Sequence, residues 1–166
     1  MEALPVSLIA FAIALIVSTV AIHSVGTFFL LWGAVKYQDR RSGQSRFLSL
    51  TWGVMIRVLA LLLLHMMEVA LWAGLFFEEG CFADLRTSIY FSLITYSTVG
   101  YGDVVLNVQY RMLGGIEALV GVLMLSWSTA LLIGYLQRAY TPFLDLWRGS
   151  RRMNKSSRAS QVENSH

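Results

Sequence analysis

Three long apolar runs, over about residues 4–35, 50–77 and 112–136, constrain this chain more than any other feature. Each meets or exceeds the roughly 20 residues that a helix needs to cross a hydrocarbon core. Backbone N–H and C=O groups find no water there, so such a run satisfies them internally, as a helix. Composition agrees: 56% of the 166 residues are hydrophobic and only 14% are charged, which departs from a soluble globular chain toward a membrane protein. The first run is too long for a secretory signal, and it is preceded by Glu2 rather than by a basic segment. The expected fold class is therefore an all-α membrane protein with three transmembrane helices.

Charge placement gives the expected orientation. Lys36, Arg40, Arg41 and Arg46 stand against Asp39 between the first two runs, whereas Glu78, Glu79 and Asp84 stand with Arg86 after the second. The basic connection belongs on the cytoplasmic side. The C-terminal segment agrees, with Arg138, Arg148, Arg151, Arg152, Lys155 and Arg158. The N-terminus is then outside and the C-terminus inside a multi-pass protein of the cell membrane. The formal charge of +3 reflects orientation and contact with anionic lipid, and the split of the charges around apolar spans argues against nucleic acid as a partner.

Between the second and third runs lies a segment, residues 83–97, too short to span and only moderately apolar. It reads as a re-entrant pore helix with Asp84 as N-cap, its C-terminal partial negative charge directed at the next few residues. Those residues are Thr98-Val99-Gly100-Tyr101-Gly102-Asp103. From Tyr90 to Asp103 the chain resembles the pore signature of the potassium-channel superfamily. The resemblance implies a homotetramer in which four such loops surround the ion with backbone carbonyls, replacing its water shell. Gly100 and Gly102 supply the backbone freedom that turns successive carbonyls toward one axis. Thr98 adds a hydroxyl at the inner entrance, Val99 packs outward, Tyr101 wedges the filter and Asp103 places a carboxylate at the outer mouth. K+ itself is the expected metal, at Thr98, Val99, Gly100 and Tyr101.

Tyr90, Phe91 and Ser97 occupy filter-support positions; many relatives carry a Trp pair where this chain has Tyr90 and Phe91. Glu78 and Glu79 either form an anionic outer vestibule or serve ordinary loop solubility. In the third run Gly121 matches the glycine at which inner helices of the superfamily often bend. Val122, Leu125, Thr129 and Ile133 recur at helical spacing from it and are assigned to a cavity beneath the filter. The expected organisation is a peripheral helix over residues 1–35, a basic loop over 36–50, a pore domain over 51–138 and a cytoplasmic tail over 139–166. The later tail, rich in Ser, Arg, Asn and Lys, is expected to be disordered.

The first two runs lack the regularly spaced Arg or Lys of a voltage sensor, and Arg57 near an inner end is explained by snorkelling. His23, His65, Glu68 and Glu117 are ionisable groups inside apolar runs. Two readings stand for them: hydrogen bonding that docks the extra helix, or a proton-sensitive element. His65 and Glu68 share one helical face. Cys81 has no intrachain partner for a disulfide. No His, Cys and carboxylate spacing matches a structural metal site, no nucleophile sits beside a base, and no cofactor other than permeant K+ is expected. The sequence thus reads as a passive, non-enzymatic K+ channel without a voltage sensor or soluble ligand domain. The alternatives are a weakly selective cation channel, a non-conducting sensor on a channel scaffold, and a transporter subunit, disfavoured because the chain has one filter repeat.

Overall fold

The computed structural model describes residues 6–38 and 46–163. They are all-helical: α1 (Val6–Gln38), α2 (Arg46–Glu78), α3 (Leu85–Tyr96) and α4 (Arg111–Glu163), with a 3-10 turn at Val108–Tyr110 leading into α4. Among the described residues three stretches are long and apolar enough to cross a membrane, Ile9–Gly33, Thr51–Glu78 and Val108–Arg138. Asp39, Arg40 and Arg41 of the basic connection lie outside the described residues.

The spanning helices bury narrow stripes and leave apolar surface outside. On α1 the buried positions are Ala12, Leu15, Thr19, His23 and Thr27, spaced by three or four residues, while Phe11, Val17, Val25, Phe28 and Phe29 are exposed. That is the reverse of a soluble helix: hydrocarbon accepts the apolar side, and the polar residues turn inward for partners. The Thr19 and Thr27 hydroxyls donate to the carbonyls of Leu15 and His23, at 2.8 and 2.7 Å. The Trp72 indole N–H of α2 reaches Thr19 Oγ1 at 3.1 Å, tying the two helices. Gly26 allows their close approach, since a Cβ there would stand 2.7 Å from Leu64 Cδ1.

On its other side α2 packs against α3. Phe91 of α3 meets Phe76 edge-on at 5.3 Å between ring centroids and lies 5.1 Å from Phe82. Such aromatic pairs contribute about 0.5–1.5 kcal/mol beyond their buried area. The same core includes Val69, Trp72, Leu106, Leu113, Val120 and Met124.

The chain divides into two compact units, residues 1–129 and 130–166. The second consists of the continuation of α4, which stays helical to Glu163. This corrects the expectation of a disordered later tail. Arg, Met, Lys and Gln are good helix formers, and extending an existing helix avoids the cost of a new nucleus.

The C-terminal end of α2 closes as a Schellman motif. Cys81 N–H donates to the Phe76 carbonyl and Gly80 N–H to that of Phe77, at 2.9 and 3.0 Å, with Gly80 at φ +65°. These bonds satisfy carbonyls that the helix end would orphan. A Cβ at Gly80 would meet nothing within 4 Å, so only the left-handed backbone resists substitution. Gly80→Ala should therefore destabilise the protein by about 1–2 kcal/mol in a detergent denaturation series.

Candidate functional site

The short helix α3 is built to present the segment after it. Asp84, in extended backbone, caps its start: Oδ1 accepts from the Thr87 backbone N–H and Oδ2 from the Thr87 hydroxyl, both at 2.8 Å. Those bonds, with that amide the main cause, hold the Asp84 carboxyl below the usual range. At the far end Ser97 is the C-cap, and its hydroxyl donates to the Leu93 carbonyl at 2.7 Å. Thr98 N–H bonds to the Thr95 carbonyl and Gly100 N–H to that of Ile94, at 2.9 and 3.0 Å. The loop is thus folded back onto the negative end of the helix.

Left-handed backbone recurs along this loop, at Thr98 (φ 61°), Gly100 (φ 53°) and Gly102 (φ 75°). The glycines take it freely, whereas at Thr98 it is strained. All of residues 97–103 are exposed on the single chain, including two large apolar side chains, Val99 at 51% and Tyr101 at 72%.

The segment leaving the loop is anchored by Asp103. Its Oδ2 accepts from the Tyr90 hydroxyl at 2.7 Å and its Oδ1 from the Val104 N–H at 3.0 Å. The first of these bonds raises the Tyr90 phenol above the ordinary tyrosine range. Phe91, next to Tyr90, instead faces the aromatic cluster with Phe76 and Phe82. Glu78 is exposed; Glu79 is partly buried and accepts from the Tyr110 hydroxyl at 3.2 Å. Cys81 is a free, partly buried thiol, raised by burial and then by the Glu79 charge.

Gly121 of α4 lies where α3 ends. A Cβ there would collide with the Tyr96 carbonyl oxygen and stand 2.9 Å from its carbon, so glycine is required by close backbone approach. The helix is unbroken through this residue. On the exposed side of α4, Val122 and Leu125 are 45% and 38% accessible, and the exposed Thr129 bonds its hydroxyl back to the Leu125 carbonyl at 2.8 Å. Ile133, in the second unit, is half-exposed.

Buried polar groups of the four helices meet beside the end of α3. Glu68 is fully buried; its Oε1 lies 2.8 Å from His23 Nδ1, and its Oε2 lies 3.3 Å from His65 Nδ1 and accepts from the Tyr96 hydroxyl. His65 Nδ1 is also 3.1 Å from Tyr96 Oη. Ser128 Oγ stands 3.0 Å from His65 Nε2 and 3.3 Å from His23 Nε2. Glu117, equally buried, bonds through Oε1 to the Ser92 hydroxyl, whose oxygen is also 3.0 Å from the Val69 carbonyl oxygen. The sequence alone singles out His23, His65, Glu68 and Glu117, but it does not single out Tyr96, Ser128 or Ser92. Their polarity inside an apolar context is a signal; their partners are not visible along the chain.

Residues 62–138 match the model of a family described as Ion channel. Over that part, a little under half of the chain, the protein is similar to ion channels. The match covers the site from within α2 to beyond Thr129, together with the whole loop. Comparison with curated proteins and with solved structures gives no match.

Two measurements check these contacts. Tyr90→Phe should speed amide hydrogen exchange across residues 98–104, because Asp103 loses a donor. In the parent that protection holds at neutral pH and falls as pH rises through the raised phenol value, since ionisation removes the proton. Gly121→Ala should destabilise the protein by about 1–3 kcal/mol, as expected for forced overpacking against backbone, read as a lower unfolding midpoint in detergent.

Proposed function

We propose that the protein is a K+-selective channel made of four copies of this chain, conducting passively. The observation that carries the reading is the loop at residues 97–103. It is a non-helical segment with left-handed turns at both glycines, bonded to the end of a short helix, yet wholly uncovered on one chain. Non-helical backbone is tolerated at membrane depth only where protein or a water-filled path covers it. Three further copies supply that cover around a fourfold axis, and closed cyclic symmetry lets one loop per chain complete a cage. The family match of residues 62–138 supports the ion-channel part of this proposal.

Within the tetramer, Thr98, Val99, Gly100 and Tyr101 hold the permeant ions. Asp103, tied to Tyr90, fixes the outer end, and Glu78 adds negative charge at the mouth. Val122, Leu125 and Thr129, exposed on the single chain, face the inner cavity. The N-terminus is outside and the C-terminus cytoplasmic, with the basic segments against anionic lipid.

Purified protein in planar bilayers tests the reading. Unitary currents should reverse near the K+ equilibrium potential and carry rubidium well ahead of sodium; a reversal potential indifferent to replacing K+ by sodium refutes selectivity. Gly100→Ala should abolish discrimination or current, because its φ of 53° strains any side chain. Crosslinking in mild detergent should yield a tetramer, and arrest at the dimer counts against the cage. For orientation, a cysteine at Ser42 in a Cys81→Ser background should resist an impermeant thiol reagent applied outside; labelling there reverses the assignment.

A further inference from the structure

His23 comes from α1, His65 and Glu68 come from α2, and their donor atoms lie within 4.8 Å of one another in a buried position. We propose that these three side chains form a binding site for a divalent first-row transition metal of the Zn2+ type, with Tyr96 as the adjacent fourth donor.

The distances suit such an ion. Zinc binds imidazole nitrogen and carboxylate oxygen at about 2.0–2.2 Å, so a tetrahedral site separates its donors by about 3.3 Å. Here His23 Nδ1 and His65 Nδ1 are 2.8 and 3.3 Å from the Glu68 oxygens, and Tyr96 Oη is 3.1 Å from His65 Nδ1. Imidazole nitrogen selects against K+ and Mg2+, which prefer oxygen, and favours zinc, nickel or copper.

The surrounding groups match a metal centre as well. Ligating histidines almost always direct the second ring nitrogen to a fixed acceptor. Both Nε2 atoms face one oxygen, Ser128 Oγ, at 3.0 and 3.3 Å. With a metal on both Nδ1 atoms, each Nε2–H donates to Ser128 Oγ, whose two lone pairs accept both.

Without a metal, the same contacts need an extra proton. Both Nδ1 atoms face carboxylate oxygens, and Tyr96 already gives its proton to Glu68. Ser128 has one hydroxyl proton for two Nε2 atoms. Bridging every contact therefore takes one proton more than an ionised carboxylate and two neutral rings possess. It sits either on an imidazole or on the carboxyl. Metal binding displaces it, leaving each ring neutral with its proton on Nε2. If Tyr96 ligates as phenolate, a second proton leaves, and the two positive charges of the ion are met by one carboxylate and one phenolate. A neutral site is the favoured state in hydrocarbon. The ion would clasp α1 to α2 and to the residue at which the pore helix ends. This site stands on its own geometry and does not depend on the conduction reading.

The test uses the full chain in detergent, freed of any affinity tag and stripped with chelator, and Co2+ alone as the probe. One Co2+ should bind per chain with the visible absorption of a low-coordinate nitrogen and oxygen site, releasing one or two protons in weak buffer. Zinc should displace it. His23→Gln and Glu68→Gln should weaken binding at least tenfold, in line with loss of a ligand or its support, whereas His166→Gln should leave it unchanged. His23→Cys keeps a ligand in place and should add a thiolate-to-cobalt charge-transfer band, which a general loss of folding cannot produce. Absence of the parent spectrum, release of no proton on binding, or a His23→Cys spectrum without the thiolate band overturns the proposal.

Discussion

The buried carboxylate of Glu68 is the interaction on which the arrangement of the first unit depends. In hydrocarbon an ionisable group without partners is costly, so it gathers whatever polar groups it can reach. Glu68 faces His23 of α1, His65 of its own helix and Tyr96 at the end of α3, and the two imidazoles in turn face Ser128 of α4. Apolar contacts between helices and apolar contacts with lipid tails differ little in free energy, which leaves packing and hydrogen bonds to specify which faces meet. The stripe of Thr19, His23 and Thr27 on α1 turns inward for that reason, while its phenylalanines turn out.

The loop inherits its position from this packing. Tyr96 is bonded to Glu68 through its hydroxyl, abuts Gly121 through its carbonyl, and precedes Ser97 and the loop's first left-handed residue, Thr98. One residue therefore connects the polar interior, α4 and the loop. The far end of the loop is held independently, through Tyr90 and Asp103. The span between the two anchors is the part left uncovered on a single chain.

The spanning segments are legible from apolar length, and the short helix α3 from its position and its capping residue. Asp84 does accept from the Thr87 amide, as a Ser, Thr, Asp or Asn before a helix leads one to expect. Gly121 is legible as special, yet its reason is contact with Tyr96, which no spacing within α4 reveals. The later tail is misread from sequence because a polar, charged composition does not distinguish a disordered segment from the continuation of an existing helix.

The sequence by itself determined three membrane-length helices, a short helix between the second and third, and the glycines that allow left-handed turns in the loop after it. These arise from local chemistry: apolar length, capping and backbone sterics act over a few residues. Only the tertiary structure decided that His23, forty-five positions from Glu68, is its nearest histidine partner, and that Ser128 serves two imidazoles at once. A search for metal-ligand spacing along the chain finds nothing there, because His23 and His65 lie on different helices. Their meeting is set by how the stripes of α1, α2 and α4 pack, and packing is a property of faces in space rather than of intervals in the chain.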